Sequence, residues 1–252
     1  MTNPSETNDV ESAPARRRRR RDAKWGGGVL FLGFVLLFCG QLSGATLIEG
    51  MGLPDGWQLV GASLGFLLVI LLVQGLIRIH GVEAEAELGL DRSRLRGLAT
   101  ALLFFLPHLV LFLTAALIAG LIAQLTGGEQ HQQESMKTFL AAREDLPLFV
   151  GLGLVATVCA PLAEELLFRG FFFGFLRRTV SFWPAATIQG LVFGALHIEA
   201  PAAWVFIIPL GVMGVFLAWL RERSSLWTCI FLHAIHNTTM LLAAPYLVEP
   251  GG

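Results

Sequence analysis

Apolar residues run through this chain in blocks of about 20, separated by short charged segments, rather than recurring at the spacing of a helix with one wet face. Seven stretches approach or reach the length that crosses a hydrocarbon core: Trp25–Leu47, Trp57–Ile77, Leu98–Leu125, Leu146–Leu176, Phe182–Ile198, Ala202–Leu220 and Leu226–Ala244. The fourth is long enough to protrude from a bilayer. The fifth is short and bounded by Glu199 and Pro201. Open strands cannot satisfy their backbone in lipid, so the stretches are predicted to be helices. The expected fold is all-α, a polytopic membrane bundle of about seven helices without internal repeats.

Composition agrees with the pattern. Hydrophobic residues make up 54% of the 252 and charged residues only 15%, against about 25% charged in soluble domains. With the N-terminus inside, every Lys and Arg except Lys137, Arg143 and Arg169 falls in a cytoplasmic segment, which predicts an external C-terminus. Residues 1–24 form a polar tail, expected to be disordered, ending in Arg16–Arg21 and Lys24. The arginine run reads as a topology signal and as a partner for anionic lipid headgroups. A signal peptide cleaved after Ser43-Gly44-Ala45 is not expected, because the apolar run continues through Leu47 and Ile48. The net charge of −1 gives no reason to expect nucleic acid. Cys39, Cys159 and Cys229 stand singly in apolar runs and read as small fillers. The predicted division is the tail, N-terminal helices and loops over 25–145, a core over 146–244, and a short tail over 245–252.

Charged groups within apolar spans are costly, so each is a functional candidate. They concentrate in three stretches: Glu164-Glu165 with Arg169, Phe193 with His197, and His233 with His236 and Asn237. Glu165 and Arg169, four apart with the acid first, suit a helical ion pair. Glu164 points about 100° away without that partner and is a candidate general base acting on water. The plainer reading is a second structural charge paired with a histidine. His233 and Asn237 share a face and can both donate to a developing oxyanion. His197 can hold the water with Glu164, and Phe193 shapes the pocket. His236 reads as a core histidine and His108 as a helix–helix hydrogen bond. Phe171–Phe173 read as lipid-facing or packing surface. Pro161 predicts a kink that frees the Thr157 carbonyl, or else a helix beginning at the proline.

The doubled glutamate with its arginine, Phe-x-x-x-His and His-x-x-x-Asn, in this order, resemble the CAAX-protease and bacteriocin-processing (CPBP, or Abi) family of intramembrane proteases, which includes type II CAAX prenyl endopeptidases. The resemblance covers roughly Leu146 to Ala244. It implies an intramembrane endopeptidase in which Glu164 activates water and His197 helps hold it. His233 and Asn237 would form the oxyanion site, braced by Glu165 and Arg169. The implied substrate is a peptide or protein, with lipidated chains and leader peptides among the candidates, and the expected location is the cytoplasmic membrane of a prokaryote. The extra His236 and seven apparent spans, where many relatives have eight, depart from the pattern. No cofactor is expected, since His-Glu-x-x-His is absent. A zinc held by Glu164, His197 and His233 is the alternative.

Two other classes fit the same motifs. One is a non-catalytic immunity or scaffold protein. The other is a proton or solute pathway, although transporters usually show repeated halves. From helix rise, Glu164 and His197 should lie about 20 and 22 Å from the basic ends of their helices, and His233 and Asn237 about 10 and 16 Å. The site is therefore predicted at or just below mid-membrane, open to the cytoplasmic side.

Overall fold

The computed structural model describes residues 27–54, 56–126, 134–198 and 201–247. The arginine run, and with it the expected headgroup contact, lies outside these residues. The described chain is helical, without strands. We label the helices α1 (Gly27–Gly50), α2 (Gly56–His80), α3 (Val82–Leu88), α4 (Arg94–Leu125), α5 (Glu134–Ala141), α6 (Leu146–Thr179), α7 (Phe182–Ala195), α8 (Ile207–Arg223) and α9 (Leu226–Leu247).

Six helices among the described residues are long and apolar enough to cross a membrane, one fewer than the seven stretches predicted. The difference lies in Phe182–Ile198. Its helix runs for 14 residues, about 21 Å, against a hydrocarbon core of about 30 Å. It tightens at its end, where the His197 amide bonds back to Gly194 O. Hydropathy registers the apolar run but not this stop.

The helices outside the core meet lipid on apolar faces. Leu102, Leu103, Leu106, Leu117 and Leu121 of α4 are exposed, as a bilayer-facing surface requires. Lipid provides little hydrophobic force between helices, so close backbone approach must hold them. A Cβ on Gly40 would lie 2.6 Å from the Gly65 Cα, and one on Gly44 would collide with the Gly61 carbonyl, so α1 and α2 touch along glycines. The same device joins α7 to α8, where a Cβ on Gly190 would lie 2.7 Å from Gly211 O.

Helix α6 occupies the centre. Leu166 to Phe171 are all buried, Arg169 included. Phe171 and Phe173 are buried and Phe172 packs against Phe34, so this run is packing surface rather than lipid-facing. At the end of the bundle carrying Arg177, Arg178, Arg221 and Arg223, the α3 segment is tied down by polar bonds. Arg178 pairs with Glu87 at 2.8 Å, Arg221 donates to Glu87 O, and the Trp227 indole donates to Leu90 O.

Candidate active site

The site grows from the irregularity of α6. A residue without an N–H in mid-helix breaks the regular ladder, and Pro161 was expected to produce a kink or a start. A widened turn runs over Val155–Cys159, in which the Ala160 amide reaches back five residues to Val155 O, and a regular α-helical stretch starts at Ala160 with Pro161 in its first turn. A second widened turn spans Leu166–Phe172, with the Phe173 amide on Phe168 O. Such turns insert one extra residue and are frequent at functional sites. Between them sits a short regular stretch, Ala160–Glu165. The carbonyl that takes a new partner is that of Ala156, not Thr157: Asn237 Nδ2 donates to it at 2.8 Å.

Glu165 and Arg169 form the predicted pair, 2.7 Å apart and wholly buried. The same Glu165 oxygen lies 2.8 Å from His233 Nδ1. A carboxylate oxygen accepts, so Nδ1 carries the hydrogen and Nε2 faces the other way. The Arg169 guanidinium stacks 4.5 Å from the centre of the Phe193 ring. That ring also packs against His197 and His233, at 4.6 and 5.8 Å between centres. Phe193 thus packs against the buried cation on one side and both imidazoles on the other.

His197 lies just beyond the end of α7, where carbonyls lack helical partners. Its Nδ1 donates to Phe193 O at 2.7 Å. In the neutral ring this leaves a lone pair on Nε2. His197 Nε2 is 3.8 Å and His233 Nε2 3.9 Å from the same oxygen, Oε2 of Glu164. Glu164 is only slightly exposed, and His197, at 30%, is the most open of the group. Four predicted residues therefore converge: Glu164, Glu165, His197 and His233, with Arg169 and Phe193 behind them. Asn237 lies one turn beyond His233, anchored to α6.

His236 and His108 are bonded to each other at 3.2 Å, both buried, the helix–helix contact expected for His108. The sequence reading passed over Gln189. It is buried in α7 and donates to Gly214 O at 2.7 Å across to α8. A lone amide inside an apolar run was the available signal.

A tetrahedral zinc with ligands at about 2.0–2.1 Å brings its donor atoms to within about 3.4 Å of each other. The Glu164–histidine separations are wider, at 3.8 and 3.9 Å, while the His233 Nδ1 bond to Glu165 leaves Nε2 facing Glu164. Among the described residues no three His, Cys, Asp or Glu side chains are grouped to hold a metal ion.

Residues 146–239 match the family described as type II CAAX prenyl endopeptidase Rce1-like. A curated relative, "Putative membrane peptidase YdiL" of Bacillus subtilis (strain 168), is 24% identical over 204 residues, covering 81% of this chain and 76% of the relative. No solved structure matches.

Proposed function

Because residues 146–239 match a family of type II CAAX prenyl endopeptidases, we propose that the chain is an intramembrane endopeptidase working through a glutamate-activated water. The observation that carries this reading is the convergence of two imidazole nitrogens on one Glu164 oxygen, each too far for a direct hydrogen bond. Separations of this size suit a water between the partners. Glu164 and the His197 Nε2 lone pair would accept the water's two hydrogens, turning its oxygen lone pair toward a scissile carbonyl.

In the first step the water oxygen bonds to the carbonyl carbon, Glu164 takes one proton, and the carbonyl π pair moves onto oxygen. That oxyanion would accept from His233 Nε2 and from the Asn237 amide hydrogen not used by Ala156. Donation from Nε2 requires His233 to carry hydrogens on both nitrogens, with Nδ1 hydrogen-bonded to Glu165. Arg169 holds Glu165 in place. In the second step Glu164 returns its proton to the leaving nitrogen, the carbon–nitrogen bond breaks, and the new carboxyl group departs.

The basic end of the bundle would lie in the cytoplasm by the positive-inside rule. The substrate would then approach from that side or from the inner leaflet, in keeping with the expected cytoplasmic membrane of a prokaryote. The substrate class is a peptide or protein segment at the membrane, prenylated tails and leader peptides included. Comparative peptidomics of membranes carrying wild-type chain or Glu164→Gln tests the proposal. Products that need wild-type Glu164 support it, and identical peptide pools at equal expression contradict it. If no metal takes part, a strong chelator should leave cleavage unchanged. Inactivation reversed by one zinc per chain would instead make zinc-bound water the nucleophile.

A further inference from the structure

The hydrogen-bond account of the first widened turn assigns Pro161 a role. In a regular helix the Ala160 amide would serve Ala156 O, but here it serves Val155 O. In that five-residue register the donor for Ala156 O is residue 161, and a proline has no N–H. A buried carbonyl without a donor is costly. The missing donor comes from Asn237, 81 positions along the chain, at 2.8 Å. Both features are required. Without the widened turn Ala160 would occupy Ala156 O, and without the proline residue 161 would.

We infer that Pro161 is a positioning residue for Asn237: it reserves the Ala156 carbonyl as an anchor, which fixes the amide plane and leaves its second hydrogen for substrate. The anchoring stands on geometry alone. Its catalytic consequence rests on the proposed protease reading. His233 is held by Glu165 from the same α6 segment, so α6 aims both candidate oxyanion donors of α9.

The test compares wild-type full-length chain, Pro161→Ala, Asn237→Ala and the double variant in detergent. Melting temperature is read together with kcat and KM on a fluorescence-quenched farnesylated CAAX peptide. Asn237→Ala should lower Tm by about 3–6 °C. In the Pro161→Ala background, where residue 161 can donate, the same change should cost less than half as much. Pro161→Ala alone should lower kcat about 10- to 100-fold at unchanged KM. An equal Tm loss in both backgrounds, or full kcat in Pro161→Ala, overturns the inference. Should Pro161→Ala not fold, Asn237→Asp, near-isosteric but unable to donate when ionised, must lose as much Tm as Asn237→Ala, and a wild-type Tm overturns the anchor. If wild-type chain does not cut the probe, the protease reading fails for that peptide while the melting comparison still decides the anchor.

Discussion

The α1–α2 pair and the α6–α9 contact are both tight helix seams, yet they are held in different ways. The first brings glycine against glycine: Gly40 meets Gly65, and Gly44 meets Gly61. The second is crossed by a buried ionic network, with Arg169 and His233 sharing one oxygen of Glu165, and by the Asn237 bond to Ala156. Close packing is enough to join two helices in lipid. The costly charges of the second seam therefore need another justification, and holding an imidazole beside a reactive carboxylate supplies one. Substitutions in the two seams should accordingly fail in different ways.

The largest expected effect is on activity alone. Glu164→Gln removes the proton acceptor without stranding a buried charge, so cleavage should fall about 10²–10⁴-fold at near wild-type Tm. Next comes Glu165→Ala, which leaves Arg169 buried without its carboxylate, a loss of about 3–5 kcal/mol. Its Tm should drop sharply along with its activity, and equal Tm values for the two glutamate variants would erase the proposed division between them.

In the other seam, Gly44→Val pushes a side chain onto the Gly61 carbonyl. Overpacking of this kind costs about 1–3 kcal/mol. Melting in detergent should register that cost, while kcat per folded molecule stays at the wild-type value. A kcat loss as large as that of Glu165→Ala would show that the seams are not independent. The smallest effect belongs to His108→Leu, which removes one buried hydrogen bond to His236. It should lower Tm by about 2–4 °C and change cleavage little.

What the sequence made legible follows from how local each contact is. The Glu165–Arg169 pair is fixed by helical spacing, and the separate direction of Glu164 by the 100° step between neighbours. The all-helical membrane architecture follows from block length. The bond from Glu165 to His233 was not legible, because it joins residues 68 apart whose meeting depends on how α6 packs on α9. The proline pointed to the Thr157 carbonyl, whereas the one that takes an outside donor is Ala156, because a widened turn moves the ladder by one residue. The apolar run did not reveal that the regular helix of α7 ends at Ala195, short of the length that crosses a hydrocarbon core. His197 was placed on a helical face, yet its ring is aimed by an end-of-helix bond to Phe193 O.

The central claim is that Glu164 directs water onto a peptide bond. Membranes carrying wild-type chain or Glu164→Gln, incubated in ¹⁸O-water and read by mass spectrometry of new peptide C-termini, test it most directly. The expected result is a set of peptides whose new carboxyl groups carry one ¹⁸O with wild-type chain and which are missing with Glu164→Gln. Labelled products of equal abundance from both would contradict the account.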